Sequence, residues 1–251
     1  MMRLIGAELF KLRTTRLYIG LLAACCGLVV VVTALHFLLA GDASLTIEGA
    51  ADTITTEADL RSVLDVSGVA VLFTLILGAT AMTGEARHHT IATTFLATPA
   101  RSRVVVAKVV GYAIAGAVFG LVVEMSAVAV AFGWLAATGV PIPFGSSVAA
   151  GLALVPVATG LAAGFGVGVG AVVPNQLGAV LVAIGWVMIV EQLFSGLFPE
   201  VARWLPFAGA GSAITGQHSQ LGWAGGIGLF VAYLAAMVAV GMQVTRRRDV
   251  A

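Results

Sequence analysis

The sequence predicts an all-α membrane protein that crosses the bilayer six times, and three observations carry this prediction. The 251 residues are 60% hydrophobic and only 10% charged, which leaves too little polar surface for a water-soluble globule of this size. The chain contains six apolar runs, and most of them have a length near the roughly 20 residues that a helix needs to span a bilayer. Lysine and arginine are concentrated in three places, and an even number of spans brings these places to one side of the membrane.

The predicted elements follow one another in a single transmembrane domain over residues 1–251. Residues 1–16 form an N-terminal interfacial helix, which we call the elbow helix. The six predicted spans cover residues 17–39, 63–83, 104–138, 147–173, 176–198 and 223–243. The connections are an outer loop (40–62), a cytosolic loop (84–103) and an outer re-entrant segment (199–222), followed by a cytosolic tail (244–251).

The orientation follows from where the charges lie. The first connection contains five carboxylates, with a sixth, Asp65, just inside the second span, and a single basic residue, Arg61. Basic residues flank the cytosolic ends of spans in membrane proteins. We therefore expect both termini and the 84–103 loop in the cytosol. The basic residues behind this prediction are Arg3, Lys11, Arg13, Arg16, Arg87, Arg101, Arg103, Lys108 and Arg246 to Arg248.

The elbow helix has an amphipathic pattern. Ile5, Leu9 and Leu12 share one face of a helix, while Glu8 and Lys11 share another. Such a helix lies flat at the level of the lipid headgroups, and we expect its basic side to face anionic lipid. The alternative is a basic tail that only sets the orientation of the first span.

The cytosolic loop contains a second short helical pattern. Ile91, Phe95 and Leu96 recur at helical spacing, and Pro99 ends the pattern before the third span. An exposed amphipathic helix of this kind is suited to docking in a groove of a partner.

Two apolar stretches do not fit a simple span: the third run, and the segment between the fifth and sixth runs. The third would be about 50 Å long, so we expect its first turns to project into the cytosol and keep Lys108 out of the membrane. The segment 199–222 is too apolar for an ordinary outer loop, yet its Pro and Gly residues disfavour another span. We expect it to dip back into the outer leaflet.

Glycines recur at helical spacing in the third and fourth spans. The fourth contains Gly160, Gly164 and Gly168, and the third contains Gly116 and Gly120. This spacing allows close approach of helix backbones, which favours packing within the bundle. A hinge or a seam between subunits is the alternative.

Glu124 and Glu191 lie deep inside apolar runs, each about 21 Å from the expected cytosolic entry of its helix. A carboxylate at that depth costs about 3 kcal/mol on insertion scales. Two interpretations stay open for each residue. One is a contact with the translocation pathway or substrate, and the other is an interhelical hydrogen bond, with Gln192 or Trp186 as conceivable partners.

The chain contains no ATP-binding or catalytic motif. A phosphate-binding loop needs a lysine after a glycine, and the two lysines, Lys11 and Lys108, follow Phe10 and Ala107. The patterns H-E-x-x-H, G-x-S-x-G and C-x-x-C do not occur. We therefore expect a non-enzymatic chain that binds no metal or cofactor of its own.

Three segments together resemble the permease subunits of the ABC type-2 transporter family, closest to its actinobacterial multidrug or antibiotic exporters. They are the stretch Glu8 to Arg16, the loop from Gly84 through Pro99 to Lys108, and the basic end Arg246-Arg247-Arg248. Further similarity covers Gly178 to Glu191 and the segment Arg203-Trp204-Leu205-Pro206.

The resemblance implies a transporter in a bacterial plasma membrane, with two permease subunits, identical or different, and two separate cytosolic ATPase subunits that bind ATP and magnesium. It implies export of small hydrophobic or amphipathic cargo such as antibiotics, drugs or lipids, and no nucleic-acid partner. A proton-coupled carrier using Glu124 and Glu191, and a membrane anchor or regulatory subunit, are the alternatives. By the resemblance, the ATPase interface would contain Glu8, Lys11, Arg13, Glu85, Arg87, Thr90, Phe95, Pro99 and Arg101.

Overall fold

The structure is a computed structural model, and it describes residues 1–39, 54, 56–87, 101–216 and 221–247, with the backbone alone at residues 14, 39, 86, 101 and 246. Over these ranges the chain is helical and contains no strand. The α-helices are α1 (Met2–Thr14), α2 (Arg16–Leu39), α3 (Glu57–Leu64), α4 (Ala70–Arg87), α5 (Arg101–Thr138), α6 (Ser146–Val172), α7 (Gln176–Gly185), α8 (Glu191–Leu197), α9 (Pro199–Ala202), α10 (Ser212–Thr215) and α11 (Gly222–Arg247).

Shorter helical stretches of other types join some of these helices. A 3-10 helix, Asp65–Val69, connects α3 to α4. A first π-helix, Trp186–Val190, connects α7 to α8, and a second π-helix, Pro206–Gly211, precedes α10. The connected pieces act as longer units, so α3 with α4 and α7 with α8 each form one span.

The prediction of six spans is confirmed. Six helical segments are long and apolar enough to cross a membrane, and the chain is therefore a multi-pass membrane protein by the length and composition of its helices. These segments are Arg16–Leu38, Glu57–Glu85, Ser102–Thr138, Ser146–Val172, Gln176–Leu197 and Gly222–Thr245.

The second span begins earlier than the sequence predicts. Helix α3 starts at Glu57, inside the expected outer loop, because Thr56 and Asp59 form a capping box. The Asp59 amide donates to Thr56 Oγ1 at 3.2 Å, and the Thr56 amide donates to Asp59 Oδ2 at 2.9 Å. Two backbone donors that a helix start leaves unpaired are satisfied in this way.

Helix α6 lies at the centre of the bundle, packed against α4, α5 and α11. A Cβ atom added at Gly116 of α5 would come within 2.6 Å of Ala163 Cβ, and one at Gly160 within 2.9 Å of the Ala113 carbonyl oxygen. At Gly168 it would come within 2.6 Å of Met237 Cγ. At Gly116 and Gly160 an added Cβ would collide with the backbone of the neighbouring helix, so these glycines allow the close packing of α5 on α6 that their spacing predicts.

The described part of the segment after α8, residues 198–216, folds as short helical pieces and contains no further span. Phe207, Ala210 and Ile214 are buried against α6 and α11. The ring of Phe207 lies edge-on to Phe165 and Phe230, with centroid separations of 5.6 and 5.3 Å. Apolar packing of this kind explains why the segment is so rich in hydrophobic residues.

Candidate functional site

Four charged residues from three helices meet at one end of the bundle. Lys108 Nζ of α5 lies 2.6 Å from Glu8 Oε2 of α1 and 2.7 Å from Glu85 Oε1 near the end of α4. Lys11 Nζ of α1 lies 2.9 Å from Glu8 Oε1 and 2.8 Å from Glu85 Oε1. Each ammonium thus contacts both carboxylates, and we call these four residues the ion cluster.

The ion cluster is largely shielded from solvent. The exposed fraction of the side chain is 1% for Lys108, 6% for Glu8, 13% for Glu85 and 48% for Lys11. The expectation that Lys108 is not buried is therefore wrong: α5 is one continuous helix, and Lys108 is enclosed by protein and neutralised by two carboxylates. The projection of the first turns of α5 into the cytosol stays a prediction. Two positive and two negative charges balance, which makes burial of the group possible.

The charges of the ion cluster also set the ionisation of its members on α1. Burial acts to raise the pKa of Glu8, but Lys108 and Lys11 outweigh it, and the pKa lies below its usual value of 4.5. Burial acts to lower the pKa of Lys11, but hydrogen bonds to Glu85 and Glu8 outweigh it, and the pKa lies above 10.5. Glu8 and Lys11 are therefore both ionised near neutral pH.

The orientation of α1 differs from the sequence prediction. Glu8 is buried beside Leu12 on the face that meets the bundle, so the expectation that it belongs to a lipid-facing polar side is wrong. The sequence did contain the signal, since Ile5, Glu8, Leu9 and Leu12 follow the i, i+3, i+4, i+7 spacing of a single face.

The other predicted interface residues have different surroundings. Arg13 is exposed. Arg87, also exposed, donates to Gln176 Oε1 at 3.3 Å, beside an open cavity of about 590 Å³ at the turn between α6 and α7. Thr90, Phe95, Pro99 and the side chain of Arg101 lie outside the described residues.

A second polar cluster holds the opposite end of the bundle, and the sequence did not predict it. Glu57 Oε2 accepts hydrogen bonds from Ser147 N at 3.2 Å and Ser147 Oγ at 2.5 Å, which caps the start of α6. Arg61 donates from Nη1 to Ser147 O at 3.0 Å and from Nη2 to Thr215 O. The α3 helix thereby connects the beginning of α6 to the end of α10.

Glu124 lies inside the bundle on α5, with 2% of its surface exposed. The Ser67 hydroxyl, on the 3-10 helix, donates to Glu124 Oε2. This is an interhelical hydrogen bond, one of the two interpretations that the sequence left open, although its partner is neither of the anticipated residues.

Glu191 is 1% exposed and accepts hydrogen bonds from two parts of the chain. Trp186 Nε1 donates to Glu191 Oε1 at 2.6 Å, the Phe207 amide to Oε2 at 3.0 Å, and the Ala208 amide to Oε2. The first π-helix brings Trp186 and Glu191, five residues apart, onto one side. Glu191 thus anchors the second π-helix to the fifth span, and Trp186 is one of its two anticipated partners.

A groove of about 490 Å³ opens beside Glu191. Its walls are the 3-10 helix with the start of α4, the first π-helix with α8, and the second π-helix with α10. Apolar side chains such as Leu72 and Met188 line it together with the polar residues Asp65, Gln192 and Ser212. We call this cavity the outer groove, after the side of the membrane that the distribution of charges in the sequence predicts for it.

No protein-family model and no curated protein sequence matches this chain. The geometry of the two polar clusters and the outer groove is therefore the basis for the functional argument. Among the described residues, no group of three or more His, Cys, Asp or Glu side chains is placed to hold a metal ion.

Proposed function

We propose that this chain is the membrane-spanning permease subunit of an ATP-driven ABC exporter, energised by a separate ATPase subunit. The single observation that carries the proposal is the position of the ion cluster. Glu85 precedes residues 88–100, and Lys108 follows them, so the cluster joins both ends of this connection to α1. A partner that moves the connection would move three helices together.

The ion cluster is suited to transmitting force because its contacts are short and the one between Lys108 and Glu8 is buried. Displacing α1 from α5 would separate this ion pair, which is shielded from water, and that separation is strongly unfavourable. The elbow helix and the two spans that flank the connection therefore respond as one body. In the proposed cycle, closure of the ATPase pair tilts this body, and the cargo pathway then changes from inward-open to outward-open.

The proposed ATPase interface consists of the 88–100 connection as a coupling helix, with Arg13 and Arg87 beside it. Both arginines are exposed and able to meet carboxylates of a partner. Glu8 is buried and Glu85 is partly buried, so we assign them a supporting role beneath the interface. ATP and magnesium would bind to two ATPase subunits, and a second permease subunit would complete the transporter.

The proposed orientation puts the ion cluster at the cytosolic face of a bacterial plasma membrane and the Glu57–Arg61 cluster at the outer face. The positive-inside distribution supports this orientation. Residues 199–216, anchored by Glu191, would then form a re-entrant segment in the outer leaflet. The outer groove lies beside it and has the size of a site for a small hydrophobic or amphipathic cargo.

The test is co-purification of tagged chain with the ATP-binding protein encoded beside it, together with ATP hydrolysis in lipid nanodiscs. We expect wild type to retain the ATPase, and Arg13→Ala with Arg87→Ala to lose it while remaining monodisperse. Arg203→Ala is the matched control, because Arg203 is 40% exposed at the opposite end of the bundle.

If the well-folded wild-type chain retains no ATPase, the permease proposal is refuted. Transport by the chain alone in a proton gradient would then favour the proton-coupled carrier, for which the buried Glu124 and Glu191 are the candidate groups.

A further inference from the structure

One wall of the outer groove is a short helical unit that is continuous in the chain. The second π-helix, Pro206–Gly211, passes without a break into α10, Ser212–Thr215. We call residues 206–215 the wall helix. Ala210 and Ile214 pack it against α6 and α11, so its position sets the width of the groove. The residues of the wall helix that line the groove are Phe207, Ala208, Gly211, Ser212 and Thr215.

The beginning of the wall helix is held by an acidic side chain of the fifth span. A helix leaves the N–H groups of its first turn without intrahelical acceptors. Pro206, which has no N–H group, occupies the first position. The amides of Phe207 and Ala208, the next two residues, donate to the carboxylate of Glu191. Glu191 therefore caps the beginning of the wall helix.

The end of the wall helix is held by a basic side chain of the second span. The carbonyl oxygens in the last turn of a helix also lack intrahelical partners. That of Thr215, the last residue of the unit, accepts a hydrogen bond from Arg61 Nη2, while Arg61 Nη1 donates to Ser147 O of α6 at 3.0 Å. Gly216 follows with a φ of +79°, the left-handed conformation in which many helices end. Arg61 therefore joins the end of the wall helix to the second and fourth spans.

The two contacts have the polarity that complements a helix dipole. Peptide dipoles create partial positive charge at the beginning of a helix and partial negative charge at its end. Glu191 lies at the beginning and Arg61 at the end, and they belong to the two spans that form the other walls of the groove. Movement of the wall helix away from either span would leave buried backbone groups unpaired, which is unfavourable.

We propose that Glu191 and Arg61 form a two-ended clasp, which holds the wall helix against the fifth and second spans and keeps the outer groove narrow. The clasp works as one device because the wall helix is continuous, so the loss of the contact at one end loosens the other end. In the proposed exporter this clasp is the outer gate that opens for cargo. That use rests on the proposed function, whereas the clasp itself does not.

Hydrogen exchange of the purified chain in lipid nanodiscs tests the coupling between the two ends. The readout is the exchange of the Phe207 and Ala208 amides, which Arg61 does not contact among the described hydrogen bonds. We expect Arg61→Gln to accelerate this exchange by about fivefold, the scale of a lost helix-capping contact. Glu57→Gln is the matched control, because Glu57 lies one turn earlier on α3 and its described hydrogen bonds go to Ser147.

The reactivity of a cysteine in the groove tests whether the clasp controls access. Ser212→Cys provides a thiol on the wall helix, in a background with Cys25 and Cys26 replaced by alanine. N-ethylmaleimide is the probe, because it is uncharged and insensitive to the charges that the variants remove. We expect Arg61→Gln and Glu191→Gln each to accelerate labelling by at least about threefold. Because both act on one helix, the combined variant should accelerate labelling by less than the product of the two factors.

Unchanged exchange of the Phe207 and Ala208 amides in Arg61→Gln would overturn the proposal, and so would equal labelling of Ser212→Cys in every variant. If Arg61→Gln fails to fold, Gly216→Ala is the second variant and should give the same acceleration, because its Cβ would collide with Arg61 Nη2 and its positive φ disfavours alanine. Coupled ends in a chain that retains no ATPase would leave the clasp standing and refute the permease function. A chain that retains its ATPase and shows no coupling would do the reverse.

Discussion

Lys108 on α5 donates a 2.6 Å hydrogen bond to Glu8 on α1, a residue exactly a hundred positions earlier in the chain. The same ammonium reaches Glu85, at the end of the second span. This pair fixes the angle at which the N-terminal helix meets the bundle, because neither charge is stable in that position without the other.

Removal of Lys108 should destabilise the protein severely. We expect Lys108→Met to lower the free energy of unfolding by about 3–5 kcal/mol, because the buried Glu8 and the partly buried Glu85 remain with one of their two cations gone. Thermal unfolding in detergent measures the effect. Arg103→Met is the control, since Arg103 is exposed one turn earlier on α5.

Combining Lys108→Met with Glu8→Gln should recover part of that loss. The double variant removes one charge of each sign, so the remaining Lys11–Glu85 pair stays neutral. If the losses of unfolding free energy in the two single variants add up to the loss in the double variant, Glu8 and Lys108 are not directly coupled.

The ion cluster should stabilise the fold over a defined range of pH. The pKa of Glu8 is lowered in the folded state, so its contribution is present above about pH 4.5 and fades as the pH falls through the folded value. The pKa of Lys11 is raised, so its contribution is present below about pH 10.5 and fades above the folded value. Unfolding curves of wild type and Glu8→Gln should therefore differ most at neutral pH and converge in acid. A difference that persists unchanged below pH 3 would contradict this assignment.

Substitution by alanine should change the free energy of unfolding differently at two glycines of the same helix, α5. Gly116→Ala should destabilise by about 1–3 kcal/mol, because the new Cβ would lie 2.8 Å from the Thr159 carbonyl oxygen of α6. Gly133→Ala should be neutral or stabilise by up to about 1 kcal/mol, because its Cβ would meet nothing within 4 Å and alanine favours the helix. Thermal unfolding of the two variants in the same detergent gives the comparison, and equal shifts would refute the close packing of α5 on α6.

Loss of the Glu191 carboxylate should release the second π-helix. In Glu191→Ala, the amides of Phe207 and Ala208 lose their acceptor, so we expect their hydrogen exchange to accelerate by at least about tenfold. Trp186→Phe removes a different hydrogen bond of the same carboxylate and should have a smaller effect at these amides. Glu200→Ala is the control on α9, and exchange that is unchanged in Glu191→Ala would rule out the anchoring role.

The ends of the spans were less predictable than their number. Most of α3 falls in the predicted outer loop, because the charges of Glu57, Asp59 and Arg61 precede the apolar run in the sequence, although the Thr56 and Asp59 spacing of a capping box is present. Glu57 and Arg61 were counted only as loop charges, since nothing near them in the sequence identifies Ser147 or Thr215 as partners. For Glu191 the sequence predicts Trp186 as a conceivable partner, which the structure shows, whereas its backbone partners on the second π-helix follow only from the folded arrangement.

The sequence by itself determined that this protein consists of helices long and apolar enough to cross a membrane, although not where each helix begins and ends. A backbone in lipid must satisfy its own hydrogen bonds, so six long apolar runs admit little else than six helices. Only the tertiary structure decided which charges meet: Lys108 was expected in water and is held by Glu8 and Glu85. Hydropathy is a sum over neighbours in the chain, whereas the stability of a buried charge depends on a partner within a few ångströms in space, contributed here by helices far apart in sequence.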